Sequence, residues 1–242
     1  DLYSCDEKNN GQPWPYGPSD GGEDNNLSWS YGGDPVRQRQ AARTGLTLLM
    51  LSGGVPMITG GDELYRSQAC NNNAYNLDSE KNWLDWPAAS ADEDQSRFAK
   101  FAREVLRFRS AHPALRPALW PEADDPDGNG LGAWSFLTDL GTPTGNGYLD
   151  NPNNHFLAWR VDGEPAGDEA RSIYVAYNGA TSEVIAHVPP AAAGFAWFHV
   201  LDTASWYESE GNIRAPGTEE RFDEPTYGVK PRAVLVLVER PE

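Results

Sequence analysis

The chain lacks the features of membrane-spanning and nucleic-acid-binding proteins. No apolar run approaches the roughly 20 residues that a membrane-spanning helix needs. Lysine and arginine number 19 against 36 acidic residues, which gives a formal net charge of -17. A negative field of this size repels phosphate backbones and anionic lipid surfaces, whereas a neutral ligand is indifferent to it. We therefore expect no nucleic-acid partner and no membrane partner.

Cysteine and histidine are also scarce. The only two cysteines are Cys5 and Cys70, and the four histidines are scattered. Isolated residues of this kind do not form a compact ligand set, so we predict no metal site and no cofactor. Each cysteine precedes a polar loop, and from the residues alone the two are either free thiols of an intracellular protein or a disulfide pair.

The chain nevertheless has enough apolar residues to fold. It has 242 residues, of which 39% are hydrophobic, and nine of them are tryptophan. This length is sufficient for one large domain or two smaller ones, each with its own core. Internal repeats and low-complexity tracts are absent from the sequence.

A helix is predicted in the first quarter of the chain. Asp34 is a favourable capping residue, and Pro35 suits the first helical position. Apolar residues then recur at helical spacing as far as Met50. Gly53 and Gly54 predict the end of this helix.

The residues after this helix predict a strand followed by a loop. Residues 55–59 are strand formers in a run too short for a helix, and Gly60 and Gly61 allow a sharp turn. The acidic pair Asp62 and Glu63 opens a long loop rich in Asn, Asp and Tyr. A helix, a buried strand and a polar loop in this order are typical of one unit of a (β/α)8 barrel.

Three motifs carry a more specific resemblance: GVPMITGGDE, CNNNAYNLD and NWLDW. They resemble the last barrel strand and loop of alpha-amylase-type glycoside hydrolases, in the branch of bacterial isoamylases and glycogen-debranching enzymes. The amino-terminal DLYSCDEKNNGQPWPYGPSDGG resembles the isoamylase segment after the seventh barrel strand. The resemblance covers nearly the whole chain and is strongest over residues 1–86.

The resemblance implies an activity and also implies that the catalytic residues lie outside this chain. Enzymes of this type hydrolyse α-1,6 branch linkages of starch, glycogen and amylopectin by a retaining mechanism. Their nucleophile, general acid and third carboxylate lie upstream of the matched segment, so we assign no catalytic residue here. We expect the chain to be the carboxy-terminal piece of such an enzyme. Its expected partners are an α-glucan and the missing amino-terminal part, and the piece alone should be inactive.

The resemblance also bears on the cysteines and on localisation. Secreted isoamylases imply a disulfide between Cys5 and Cys70. Such a bond favours an extracellular or periplasmic location, and free thiols favour the cytoplasm. The localisation itself stays open.

Two domains are predicted. Residues 95–110 form an amphipathic helix, and residues 121–132 are turn formers typical of a linker. The predicted fold class is mixed: residues 1–118 form the carboxy-terminal portion of a (β/α)8 barrel, and residues 119–242 form an antiparallel β-sandwich. Its predicted strands are 156–161, 173–177, 184–188, 197–201 and 233–238. Five tryptophans are assigned to its core or its junction: Trp120, Trp134, Trp159, Trp197 and Trp206.

The first set of sugar-binding candidates lies on the long Asn-rich loop and comprises Asn71, Asn72, Asn73, Tyr75 and Asn76. We define the first four of them as the amide cluster. Asn amides both donate and accept hydrogen bonds and so match pairs of hydroxyl groups. Tyr75 offers a stacking face. Alternatively, an Asn-rich loop bonds its own backbone through Asx-turns. Both interpretations stay open.

Aromatic side chains in the loops are the second set of candidates. Trp14, Tyr16 and Trp29 lie in a Pro- and Gly-rich loop, where they either line a glucan cleft or form a small core of the loop. Trp83 and Trp86 are predicted to clamp the Asn-rich loop that follows Glu63 to the barrel.

The start of the long loop, which the resemblance places at the rim of the active site, has a third set of candidates: Asp62, Glu63 and Arg66. Neighbouring carboxylates on an extended loop point in different directions, so we prefer capping and hydrogen bonding to a direct catalytic role. Arg66 could orient the pair.

Two other functions are compatible with the sequence. One is a non-catalytic glucan-binding or interaction module, although a missing barrel would leave a large apolar surface exposed. The other is a transglycosylase, which uses the same fold and carboxylates.

Overall fold

The computed structural model describes residues 1–118 and 125–242. Trp120 and the first part of the predicted linker, residues 121–124, lie outside the described residues. The chain divides into two compact units: Asp1–Arg43 with Met57–Arg103, and Thr44–Pro56 with Glu104–Glu242. The predicted domain boundary at 118/119 stays a prediction. None of the helices in the described ranges has the length and apolar character needed to cross a membrane.

The first long helix has the predicted limits. Helix α1 spans Pro35–Leu51, and the Asp34 carboxylate accepts a hydrogen bond from the Val36 N–H at 3.0 Å. Beyond its end, Gly54 has a φ of +101°. The Arg109 guanidinium donates to the Ser52 carbonyl at 2.9 Å and to the Gly54 carbonyl at 2.6 Å, so it supplies partners just after the helix terminus.

Three further helices occur in the described residues, and one of them was predicted. Helix α2 spans Ala88–Ala91, α3 spans Glu93–Ala111, and α4 spans Asn146–Leu149. Helix α3 buries Phe98, Phe101, Ala102 and Val105 as its periodicity predicts. Six short 3-10 turns complete the helical content: Tyr31–Gly33, Asp62–Leu64, Ala74–Asn76, Pro113–Leu115, Glu164–Ala166 and Ser205–Glu210.

Residues 55–59, predicted to be a buried strand, form no strand in the described structure. These residues have no strand pairing, and the side chains of Val55 and Met57 are 90% and 84% exposed. A parallel barrel strand is stable only between neighbouring strands that bond its backbone and cover its side chains. All strand pairings in residues 1–118 and 125–242 are antiparallel, so this segment has no such neighbour.

The second unit contains eight antiparallel strands in two sheets. In chain order, β1 to β8 span Trp134–Leu137, Phe156–Asp162, Ser172–Asn178, Val184–His187, Phe195–Asp202, Glu220–Phe222, Thr226–Val229 and Ala233–Pro241. One sheet has the order β1-β2-β3-β8-β5-β6, and the other pairs β4 with β7. The five predicted strands are confirmed as β2, β3, β4, β5 and β8.

The two sheets share one buried core. Ala186 and Val229 of the small sheet belong to the same cluster as Tyr174, Trp197 and Leu235 of the large one. A mostly antiparallel β domain is therefore confirmed.

Most of the predicted core tryptophans behave as expected. Trp159 and Trp197 are buried, and Trp134 is half-buried. Trp206 differs, because its side chain is 55% exposed on the 3-10 turn Ser205–Glu210.

Candidate functional site

The predicted site residues lie in the first unit, on two loops joined by a disulfide. We define the first loop as residues 1–30 and the second loop as residues 61–86. The predicted bond between Cys5 and Cys70 is present, and it joins residues 65 positions apart. Next to it, the Asn9 N–H donates to the Cys70 carbonyl at 3.0 Å, and the Asp1 carboxylate accepts from the Gln68 N–H at 2.8 Å.

Asn71 is the central residue of the contact between these loops. It is 1% exposed, and its Nδ2 donates to the Tyr16 carbonyl at 2.9 Å and to Ser19 Oγ at 3.0 Å. Its Oδ1 accepts from the Asn73 N–H at 2.9 Å, which is an Asx-turn. The Asn71 amide is therefore engaged within the protein.

The neighbouring amides make similar contacts. Asn10 Nδ2 donates to Asn72 Oδ1 at 2.8 Å, and Asn72 Nδ2 donates to the Glu23 carbonyl at 3.1 Å. Asn73 Nδ2 donates to the Asp20 carbonyl. The amides therefore bond the protein itself, as in an Asx-turn, but their partners lie in the first loop as well. A sugar-binding role of the amide cluster stays a prediction.

The aromatic candidates lie at the surface. Tyr75, Trp14, Trp29 and Tyr16 are 75%, 67%, 45% and 39% exposed. The rings of Trp29 and Tyr31 stack with centroids 4.2 Å apart. Lys81 Nζ lies 5.6 Å from the centroid of the Tyr16 ring. A role of these rings in lining a glucan cleft stays a prediction.

Trp83 and Trp86 are exposed in this chain, and their role in clamping the loop to the barrel stays a prediction. Their side chains are 66% and 63% exposed. The Trp83 indole N–H donates to Asp78 Oδ1 at 3.3 Å.

The acidic pair participates in the turn that contains it. Asp62 Oδ2 accepts from the Thr59 N–H at 3.0 Å, and Glu63 Oε2 accepts from the Gly61 N–H at 2.8 Å. Arg66 Nε lies 3.8 Å from Asp62 Oδ1. Asp62 and Glu63 therefore make the capping and hydrogen-bonding contacts that we prefer for them.

Both the backbone conformation at residue 61 and the side chains packed against it favour glycine. Its φ is +100°, and a Cβ there would lie 2.2 Å from Arg66 Cδ and 2.4 Å from Leu84 Cδ2. The absence of a side chain therefore lets Arg66 and Leu84 approach the turn.

Several polar residues that hold the first loop were not singled out from the sequence. The Asp6 carboxylate accepts from the Ser30 N–H at 2.8 Å and from Ser30 Oγ at 2.7 Å. These hydrogen bonds hold the pKa of Asp6 below its usual value. Asn10 and Ser19 bond the amide cluster, and no local sequence pattern marks contacts between residues more than 50 positions apart.

The second loop also borders a cleft of about 330 Å³. Its ten lining residues are Leu64, Arg66, Ser67, Ala69, Glu80, Lys81, Trp83, Leu84, Asp85 and Gln95. Of these, Arg66 was predicted as a site residue. Trp83 was predicted as a clamp, and the other residues were not singled out.

The fold of the chain is similar to that of pullulanases of known structure. Pullulanase type I from Bacillus subtilis, solved in complex with maltose, matches with a TM-score of 0.61 and 20% identity, over 90% of this chain and 25% of that one. At this level of identity the match establishes the fold alone.

Sequence comparison shows a more specific similarity. Residues 133–238 match the family "Isoamylase, C-terminal". An isoamylase from a Flavobacterium species is 48% identical over 98% of this chain. A glycogen debranching enzyme from Yersinia enterocolitica is 43% identical over 45% of this chain. The resemblance of the chain to the carboxy-terminal part of isoamylase-type debranching enzymes is therefore confirmed.

The match covers a limited part of each relative. The chain spans 30% of the Flavobacterium isoamylase and 16% of the Yersinia enzyme.

Proposed function

We propose that the chain is the carboxy-terminal part of an isoamylase-type hydrolase that cleaves α-1,6 branch linkages in starch or glycogen. The observation that carries this proposal is the 48% identity to an isoamylase along 98% of the chain. Hydrolysis with retention requires two carboxylates on either side of the scissile bond. We assign these carboxylates to the part of the enzyme outside this chain, because Asp62 and Glu63 are engaged in their own turn.

In this proposal the chain contributes the rim of the substrate cleft. The disulfide and the amides Asn71, Asn72 and Asn73 hold the two loops together. Exposed rings such as Trp14 and Tyr75 can stack on the apolar faces of glucosyl units. An α-glucan is uncharged, so the net charge of -17 does not oppose its approach.

We further propose that residues 1–118 complete a (β/α)8 barrel and that residues 119–242 form the β domain after it. The segment 55–59 supports this proposal. Its apolar side chains Val55 and Met57 are almost fully exposed in this chain. A neighbouring strand from the rest of the enzyme would pair the backbone of this segment and cover both side chains.

A chimeric enzyme tests the proposed function. The chain would replace the matched carboxy-terminal region of the Flavobacterium isoamylase. We expect the chimera to release reducing ends from amylopectin, and the isolated 242-residue chain to release none above a buffer blank. A soluble, folded chimera without debranching activity would contradict the proposal, as would hydrolysis by the isolated chain.

A non-catalytic glucan-binding module is the second candidate. The exposure of Trp14, Tyr75 and Trp83 favours it, because exposed aromatic rings are sufficient for binding. Retention of the isolated chain in an amylopectin-containing gel, together with an inactive chimera, would support this candidate over the hydrolase.

A further inference from the structure

We propose that the cleft beside Trp83 is a binding site for a neutral oligosaccharide, separate from the amide cluster. This inference deepens the proposed function and rests on it for the identity of the sugar, an α-1,4-linked glucan. The cleft measures about 330 Å³, which is within the size range of small-molecule pockets.

Trp83 forms an exposed wall of this cleft with a defined orientation. Its side chain is 66% exposed, and its indole N–H is held by Asp78 Oδ1 at 3.3 Å. A hydrogen bond at one edge restricts rotation of the ring while its faces stay available. The C–H face of a sugar can pack against such a ring, and little side-chain entropy is lost on binding.

Arg66 is positioned in the cleft by a chain of hydrogen bonds. Its Nη2 donates to Gln68 Oε1 at 3.2 Å, and Gln68 Nε2 donates to Asn82 Oδ1 at 3.1 Å. Asn82 Nδ2 in turn donates to the Ala74 carbonyl at 3.0 Å. The guanidinium is therefore connected to the loop backbone through two further side chains.

The same arginine has an unused hydrogen-bond donor. Arg66 Nε is buried and makes no hydrogen bond in the described structure. Its distance to Asp62 Oδ1, 3.8 Å, is too long for one. This Nε is enclosed by the protein against Gly61 and is not available to a ligand, so Arg66 contributes to the cleft through its charge and its position in the lining.

The other polar groups of the cleft favour a neutral ligand. Arg66 and Lys81 contribute two positive charges, and Glu80 and Asp85 contribute two negative charges, so the lining has no net charge. Gln95 adds an amide that both donates and accepts. A site for phosphate or another anion would instead require an excess of positive charge.

The cleft also differs from the amide cluster in the availability of its groups. The amides of Asn71, Asn72 and Asn73 are bonded to the first loop. In the cleft, the side chain of Trp83 is 66% exposed and is held at its indole N–H, so the face of the ring is available to a sugar. This contrast assigns sugar contact to the cleft.

Calorimetric titration of the full 242-residue chain with maltohexaose tests the proposal. We expect Trp83→Ala to weaken binding about tenfold or more, because it removes the stacking surface. Trp86→Ala is the matched control: Trp86 is 63% exposed on the same loop but does not line the cleft, so its affinity should stay within about twofold of the unchanged chain. Inorganic phosphate should not bind.

Gly61→Ala is an independent variant. The added Cβ would overlap Arg66 Cδ, displace the guanidinium and lower the affinity while Trp83 is intact. Circular dichroism checks that each variant is folded. Absence of binding by the unchanged chain, or equal binding by the Trp83→Ala variant, would overturn the proposal.

The outcome can be separated from that of the proposed function. An active chimera combined with unchanged maltohexaose binding by Trp83→Ala would contradict the cleft alone. An inactive chimera combined with loss of maltohexaose binding in Trp83→Ala would contradict the hydrolase and leave the cleft as a sugar site.

Discussion

At the residue scale, Asp168 shows how one buried carboxylate joins distant parts of the second unit. Its Oδ1 lies 2.7 Å from His112 Nδ1 and accepts from the Ala170 N–H at 2.9 Å, while its Oδ2 accepts from the Ala114 N–H at 3.1 Å. Burial of the carboxyl raises its pKa, but the hydrogen bonds and the charge of His112 together hold the pKa below its usual value.

This lowered pKa predicts a loss of stability in acid. A carboxylate with a lower pKa in the folded state stabilises that state above its unfolded pKa of about 3.9, and the contribution is lost as the pH falls through the folded value. We expect Asp168→Asn to lower the free energy of unfolding by about 1–3 kcal/mol at neutral pH. The difference from the unchanged chain should shrink below a pH of about 4.

Urea unfolding at pH 7 and pH 3 measures both effects. Asp150→Asn is the matched control, because Asp150 is exposed and its carboxylate is not part of this network. Equal destabilisation by Asp168→Asn at both pH values would contradict the role of the ionised carboxylate.

At the element scale, helix α1 depends on its first residues. The Asp34 carboxylate accepts from the Val36 N–H, one of the helix donors that have no partner inside the helix. We expect Asp34→Ala to lower the free energy of unfolding by about 1 kcal/mol and Asp34→Asn to lower it much less, because Asn is also a good cap. Chemical denaturation of the two variants distinguishes these values, and equal losses would indicate that charge rather than capping is involved.

Elements with strong local signals were predicted well, and short or half-exposed ones were not. The cap at Asp34 and the apolar periodicity of α3 depend on residues close in sequence, and so do the five predicted strands. Strands β6 and β7 have three and four residues and include exposed or half-buried positions, so they lack a clear alternating pattern. Glu239, buried in β8 and paired with Arg160 at 2.6 Å, is explained by a partner 79 residues away.

At the scale of the whole molecule, the disulfide covalently joins residues that are far apart in the sequence. It closes a segment with a sequence separation of 65. Removing the bond with the double change Cys5→Ser and Cys70→Ser should lower stability by about 2–4 kcal/mol, because the unfolded chain gains entropy. Limited proteolysis should then cleave the first loop sooner.

Thermal unfolding with and without dithiothreitol measures the contribution of the disulfide. Reductant should destabilise the unchanged chain and leave the double variant unaffected. An unchanged melting temperature after complete reduction would show that the hydrogen bonds between the loops are sufficient without the disulfide.

The sequence by itself determined helices α1 and α3, five of the strands, the disulfide pairing through the family resemblance, and the resemblance to isoamylases, because each of these depends on local patterns or on motifs. Only the tertiary structure decided that Asn71 and its neighbours bond the first loop, that Trp83 lines a cleft with Arg66, and that residues 55–59 are exposed. These outcomes depend on which residues meet across long sequence separations. A hydrogen bond or a covering side chain stabilises a segment only when its partner is present, and local sequence does not specify that partner.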